Sequence, residues 1–233
     1  MPMLVLAIDT CGAAGSVALA RIGEADAGDG PVVEILGQEE LAAKTYSATL
    51  IRAIERLLGT AQYRVAQLGA VVAVSGPGSF TGVRVGLSTV KGLAEPNQTP
   101  VATVSRLEVL AKKAGLDSAA LDAHRGEVFL RLGADGREVQ ELLAGAAELA
   151  AVTSPPSSIA VCDDSAQKLI ENAWPGIGCV RVTPPTAADA LRVAAADIVA
   201  GLFADLALLD GHYLRRSDAE IFGEKAASRA SEK

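Results

Sequence analysis

The sequence predicts an α/β protein made of two related halves, and three observations carry that reading. Half of the 233 residues are hydrophobic, yet only one Trp, three Tyr and four Phe are aromatic. That Ala/Val/Leu-dominated composition suits helices layered on a β-sheet. The first elements run β-β-β-α-β-α, a half-domain. The unit that opens the chain, a strand ending in Asp, a small-residue turn and a returning strand, then recurs: Ala7-Ile8-Asp9 followed by Gly15 to Leu19 is echoed by Leu121-Asp122 followed by Gly126 to Leu130. Such an echo suggests an internal duplication.

Met3 to Ile8 is an apolar run ending at Asp9, Thr10 to Gly15 is a turn, and Ser16 to Arg21 returns as a second strand. Val32 to Leu41 supplies a third. Tyr46, Leu50, Ile54, Leu57 and Leu58 recur at helical spacing up to Gly59, a good C-cap residue, which predicts a first helix over 45–58. Ala70 to Val74 is apolar throughout and reads as a strand buried on both faces. A Gly/Pro turn follows it, then a second helix over 79–94. Val101 to Val104 is a short strand, Leu107 to Ala114 a helix, and Ser118 to Asp122 and Val128 to Leu132 are the echoed strands. Leu142 to Ala150 reads as helix, Ile159 to Cys162 as strand, Ala166 to Ala173 as helix and Val180 to Val182 as strand. Ala187 to Leu209 is the longest helical pattern, with Tyr213 to Arg215 a last extended piece. The domains expected are a lobe over 1–104 bearing partner-binding helices, a smaller lobe over 105–224 whose last helix packs back on the first, and a disordered tail over 225–233.

Charge and cysteine content exclude several classes. Twenty-one basic against 28 acidic side chains give a formal net charge of −7, opposite to the footprint of a protein that grips a phosphate backbone. Cys11, Cys162 and Cys179 are an odd number without a CxxC, so neither a disulfide framework nor a zinc ribbon is indicated, and a reducing cytoplasm is the natural compartment. The start MPMLVLAIDT lacks the basic region of an export signal, and the apolar stretch Val193 to Leu209 contains Asp197 and Asp205, so no membrane span is expected.

The most informative stretch is VVAVSGPGSFTGVRVGLSTVKGL, residues 71–93. Gly76 and Gly78 begin a GxGxxG, but Thr81 stands where the third glycine belongs, and Lys91 is too far along the helix for a P-loop. A strand, Gly-rich turn and helix start still offer backbone N–H groups to an anion. The residues for such a nucleotide or anion site are Asp9, Thr10, Gly76, Gly78, Ser79 and Thr81; the bland alternative is a tight turn joining strand to helix. Asp9 and Asp122 each suit a metal or water at a strand end, or simply cap their own turns. In the second helix Gly82 and Gly86 are one turn apart, at about 1 kcal/mol each relative to alanine, and close helix packing explains them, within the monomer or across a subunit interface. The interface reading takes Tyr46, Leu50, Ile54, Gly82, Val83, Gly86, Leu87 and Val90 as its surface, since each helix carries an apolar stripe beyond what one sheet face needs. His124 and His212 stand far apart without HExxH or HxxxH, and there is no GxSxG, so no metal ligands and no catalytic residues are assigned.

LAIDTCGAAGSVALA at the N-terminus, VSGPGSFTGVRVGLSTVKGLA in the middle, VSRLEVLA at 104–111, LDAHRGEVF at 121–129 and HYLRRSDAE near the C-terminus together resemble the TsaB (YeaZ) family. These are bacterial proteins needed to make N6-threonylcarbamoyladenosine in tRNA. The resemblance implies an actin-like, Hsp70-like ATPase fold (ASKHA, ribonuclease H-like) with two duplicated lobes. It implies a non-catalytic subunit that dimerises with the catalytic paralogue TsaD and helps recruit the P-loop ATPase TsaE, touching tRNA only through the complex. No cofactor is implied beyond a nucleotide at a shared complex interface. Whether the chain forms a homodimer when its partner is absent is left open by the residues. Two departures stand out: family members carry an Arg-x-His-Ser-Glu-like sequence where this chain has Lys44-Thr45-Tyr46-Ser47-Ala48, and generally Ser where it has Cys11. The rival expectation is a stand-alone enzyme on the same fold, a small-molecule kinase or an M22-type peptidase. Residues 130–233 contain no GG or GxGG of the kind such a kinase would use for adenosine.

Overall fold

A strand that is apolar at every position, as Leu4 to Ile8 is, must be covered on both faces, and the architecture follows from that demand. The computed structural model describes residues 2–24, 30–42, 46–133 and 138–215. In chain order these form β1 (Met3–Asp9), β2 (Gly15–Glu24), β3 (Pro31–Leu41), α1 (Tyr46–Thr60), β4 (Ala70–Val74), α2 (Phe80–Ala94), β5 (Val101–Val104) and α3 (Arg106–Lys113). A second series follows: β6 (Ala119–Asp122), β7 (Val128–Leu132), β8 (Gln140–Ala144), α4 (Ala146–Ala151), β9 (Ser158–Val161), α5 (Asp164–Ala173), β10 (Gly178–Arg181) and α6 (Ala187–Val199).

The two series have one topology. The first sheet has the order β3-β2-β1-β4-β5 and the second β8-β7-β6-β9-β10. In each, three antiparallel strands lead and the next two join the leading strand's free side in parallel. Helices fall at the same three points of each series, so α4, α5 and α6 correspond in order to α1, α2 and α3. The duplication suggested by Asp9 and Asp122 is therefore present in the whole connectivity.

β1 and β4 are buried along almost their whole length. α1 and α2 lie over the first sheet on one side, and α6 lies against β1, β2 and β3. α6 is fastened there at its start: Ala187 N–H donates to Ser16 Oγ (2.8 Å) and Ala188 N–H to Gln38 Oε1 (3.1 Å). Thr186 and Asp189 cap the same helix reciprocally. Helix starts elsewhere use the same chemistry, with Ser79, Ser105 and Asp163 accepting from the first-turn amides of α2, α3 and α5.

Two helical expectations need correction. Residues 142–150 are not one helix: Leu142 and Leu143 belong to β8, paired with Leu130 and Phe129 of β7, and α4 begins only after Gly145. Ala-rich composition favours helix locally, but the open edge of β7 supplies ladder partners that override it. The pattern over 187–209 ends as a helix at Val199. Leu202 N–H bonds to Asp197 O (2.8 Å) and Gly201 N–H to Ile198 O (3.1 Å), with Gly201 at φ +71°, a Schellman stop. Among the described residues, no helix is long and apolar enough to cross a membrane. The expected tail over 225–233 lies outside the described residues.

Leu191 of α6 is fully buried in the first lobe's core. Leu191→Ala should lower the unfolding free energy by about 2–5 kcal/mol, read as a reduced urea midpoint; a change under about 0.5 kcal/mol would contradict the packing of α6 on the first sheet.

Candidate functional site

β1 and β4 are parallel neighbours, with Ile8 opposite Ala73, so the turn after Asp9 and the Ser75-Gly76-Pro77-Gly78 turn leave the sheet side by side. They do not leave a gap. Ser79 N–H donates to Cys11 O (2.8 Å), and a Cβ on Gly78 would run into that same Cys11 carbonyl. Thr10 Oγ1 donates to Gly82 O (2.7 Å), and a Cβ on Gly82 or Gly86 would collide with the Thr10 carbonyl or hydroxyl. Tyr46 lays its ring beside Gly15 and donates its hydroxyl to Gly12 O (2.8 Å).

Asp9 is 1% exposed. Its Oδ1 accepts from Cys11 N–H (2.8 Å), and its Oδ2 lies 3.6 Å from Arg106 Nε, an ion pair too long to be a hydrogen bond. Arg106 starts α3, and its backbone N–H donates to Gly76 O (2.6 Å). Burial is the largest single influence and works against the Arg106 charge, but Asp9 together with Cys11 and Cys162 outweighs it and raises the guanidinium. Burial, then the Asp9 charge, pushes the Cys11 thiol well above its ordinary value, and its Sγ contacts Val74 O (3.3 Å). This cysteine is a small core residue held as a thiol.

Several groups expected to form the anion site are engaged inside the fold. The N–H of Ser79, the Thr10 hydroxyl and the Ser79 hydroxyl that caps Gly82 N–H (3.2 Å) already have partners inside the fold. Gly76, at φ +112°, is pressed against His212 O, and Thr81 is exposed. Thr10, Gly78 and Ser79 serve as a joint between β1 and α2. Both strand-end aspartates cap their own turns: Asp122 Oδ1 accepts from His124 N–H (2.8 Å), as Asp9 does from Cys11. Asp122 Oδ2 also lies 2.9 Å from His124 Nδ1. Among the described residues, no group of three or more His, Cys, Asp or Glu side chains is placed to hold a metal ion.

The interface surface needs correction as well. Tyr46, Leu50, Ile54, Val83, Leu87 and Val90 are buried within the monomer, and Gly82 and Gly86 face Thr10. These eight residues are the inward stripe, because the apolar sheet needs that cover; helical spacing identifies a stripe without saying which side it meets. The outward face consists of Ala48, Ile51, Arg52 and Glu55 on α1 and Thr81, Arg84, Ser88 and Gly92 on α2. Ile51 is 47% exposed, and a Cβ on Gly92 would meet nothing. Lys44, Thr45 and the side chain of Ser47 lie outside the described residues.

Sequence reasoning missed a second cluster. Glu141 of β8 accepts from Ser105 Oγ (2.7 Å) and Arg131 NH1 (2.7 Å). His212 Nε2 stands 2.8 Å from Oε2, the oxygen that accepts from Ser105, but is not aligned as a hydrogen bond. Burial raises the Glu141 carboxyl, but the neighbouring His212, Ser105 and Arg131 together outweigh it and hold it below the usual range. The cluster borders an open cleft of about 710 Å³, lined also by Ser75, Thr103 and Leu208. Its members come from distant segments, and the sequence signal available was the HYLRR segment alone.

Two outcomes follow from this geometry. Gly86→Leu should destabilise or unfold the chain, by about 1–3 kcal/mol or more, measured by thermal circular dichroism; a folded protein of unchanged stability would return Gly86 to the surface. Asp9→Ala leaves the Arg106 charge buried without its partner and should cost about 3–5 kcal/mol, with Asp9→Ala/Arg106→Met recovering much of that loss. Equal stability of the single and double variants in urea titrations would contradict the pairing.

The family model described as "TsaD: tRNA N6-adenosine threonylcarbamoyltransferase" matches residues 38–154, half of the chain. The chain is 34% identical over 134 residues to the tRNA threonylcarbamoyladenosine biosynthesis protein TsaB of Bacillus subtilis, covering 56% of this chain and 55% of that protein. To TsaB of Escherichia coli it is 33% identical over 133 residues, covering 54% and 53%. A tRNA N6-adenosine threonylcarbamoyltransferase from Methylocapsa acidiphila is 33% identical over 128 residues, covering 50% of this chain and 36% of that one. The chain spans about half the length of the curated TsaB relatives it matches. The solved structure of YeaZ from Pseudomonas aeruginosa superposes with a TM-score of 0.71 at 25% identity, covering 91% of this chain and all of that one. With two lobes of identical topology, the fold is the duplicated actin-like, ribonuclease H-like one. The chain belongs to the family of the TsaD model, on its TsaB (YeaZ) branch.

Proposed function

We propose that this chain is a non-catalytic subunit of the machinery that makes N6-threonylcarbamoyladenosine at position 37 of ANN-decoding tRNAs, dimerising with a TsaD-type transferase and helping to recruit a TsaE-type ATPase in the cytoplasm. Support for the pathway comes from the relatives, named as threonylcarbamoyladenosine biosynthesis proteins. The observation that carries the non-catalytic role is the joint at Asp9: the buried carboxylate is matched by Arg106, Ser79 N–H donates to Cys11 O, and the Thr10 hydroxyl donates to Gly82 O. Each donor committed in this way is one fewer to offer a phosphate. Nucleotide binding is accordingly assigned to a shared surface of the complex, not to this chain alone. With a formal charge of −7, the chain reaches tRNA through its partners, since counterion release requires basic side chains.

The dimer face in this proposal is the outward side of α1 and α2, with Ile51 as its apolar centre and Arg52, Glu55 and Arg84 around it. A charge at the centre of an interface is costly, whereas an exposed position tolerates it in the monomer. Ile51→Glu should therefore leave the chain folded by circular dichroism while weakening co-purification of the transferase at least about tenfold and lowering modified adenosine in reconstituted tRNA. Undiminished co-purification with Ile51→Glu would reject this face. Full tRNA modification in a reconstitution lacking the chain would reject the function.

A further inference from the structure

The segment Asp210 to Arg215 has no regular secondary structure, yet nearly every residue in it is tied to something. On the first-lobe side, His212 N–H donates to Ser75 O (2.7 Å), and the His212 carbonyl lies against Gly76. The Tyr213 ring stands 4.7 Å from the ring of Phe80, the first residue of α2. The Arg84 guanidinium, one turn on, lies 4.0 Å over the same Phe80 ring. On the second-lobe side, Arg215 pairs with Glu127 before β7, and His212 faces Glu141 of β8. Successive side chains divide between the lobes: Tyr213 packs on the first lobe's core, and Leu214 on the cluster formed by α3 with β6 and β7.

We infer that residues 210–215 form a clasp through which contacts with the second lobe set the position of the first turn of α2. The Arg215–Glu127 ion pair and the close contact of His212 with Glu141 fix the clasp to the second lobe. The Ser75 bond and the Tyr213–Phe80 contact pass that position to the joint where α2 begins. Loosening the second-lobe end frees Tyr213 to leave Phe80, and the first turn of α2, resting on a serine cap and on this ring, then opens more often. The inference depends on the contacts of the clasp and stands whatever partner the chain takes.

Two perturbations reach the clasp without touching α2. Glu127 is one-third exposed, so Glu127→Gln removes the charge pair from a position that tolerates it. Gly211 lies beneath the Tyr213 ring, and a Cβ there would stand 2.5 Å from Cζ and 2.8 Å from Cε2 and the hydroxyl of Tyr213. Because all three atoms belong to the outer end of a side chain, Gly211→Ala displaces the ring and leaves the backbone in place. Hydrogen–deuterium exchange on the full chain reads the result. Both variants should speed exchange at Gly82 and Val83 by about tenfold or more and leave the amides of α1 unchanged, with the far-UV spectrum and Trp174 fluorescence native. Exchanging the charges, Glu127→Arg with Arg215→Glu, should return Gly82 and Val83 toward the parent rate. Faster exchange confined to residues 123–128 and 210–215 would overturn the inference, as would failure of the exchanged pair to restore α2. Global unfolding by Glu127→Gln would also overturn it, because a clasp joins two folded lobes and does not hold either one together.

Discussion

The close approach of α2 to the end of β1 is the constraint on which the rest of the molecule depends. Gly82 and Gly86 present bare backbone to Thr10, whose hydroxyl closes the contact by donating to Gly82 O. Any Cβ at these positions would hold the helix away and open the core beneath it. Glycine in a helix carries a cost of about 1 kcal/mol relative to alanine, and fully buried packing around Val83 and Val90 offsets it. From this contact the other features of the site follow in turn. With α2 seated, Ser79 N–H donates to Cys11 O and the Gly76 carbonyl accepts from Arg106 N–H.

The same seating explains why a buried ion pair stands where two strand-end turns meet. Asp9 is nearly inaccessible and needs a cation, and α3 delivers Arg106 from one turn beyond β5. A pair of this kind contributes little net stability, because desolvation consumes most of the attraction, but each partner becomes indispensable to the other. The second lobe solves the equivalent problem at lower cost. Asp122 is only partly buried, makes the same turn contact, and leans on His124. One topology used twice has thus acquired two different joints: an interior one in the first lobe and a wetter one in the second.

The two lobes also share material. α6 follows the second sheet in sequence but closes the core of the first, with Ser16 and Gln38 satisfying its leading amides. The clasp then returns from the first lobe to the second at Glu127 and Glu141. Two exchanged connections between one pair of lobes make their separation costly even though each sheet has its own apolar cluster.

Local chemistry made much of this molecule legible from its residues alone. The continuous apolar runs at Leu4 to Ile8 and Ala70 to Val74 require strands buried on both faces. The stripe of Tyr46, Leu50 and Ile54 requires a helix against something apolar, and Asp9 and Asp122 mark turns that cap themselves. The echo of the two strand-Asp-turn units pointed to the duplicated connectivity, and the GPGSFTG segment with its neighbours pointed to the family. Tertiary contacts decided the rest. Spacing cannot say which of two apolar surfaces a stripe meets, so the eight residues read as an interface proved to be the inward face, and Ile51 beside them the outward one. Neither could an edge strand at 140–144 be told from a helix before β7 offered its partners. The Asp9–Arg106 pair and the Glu141 cluster bring together side chains from distant segments, and no local preference encodes such meetings. The sequence by itself determined what each segment needs to bury or cap; only the folded chain determined which distant group meets that need, because burial and charge pairing are satisfied by whatever the whole chain brings within reach.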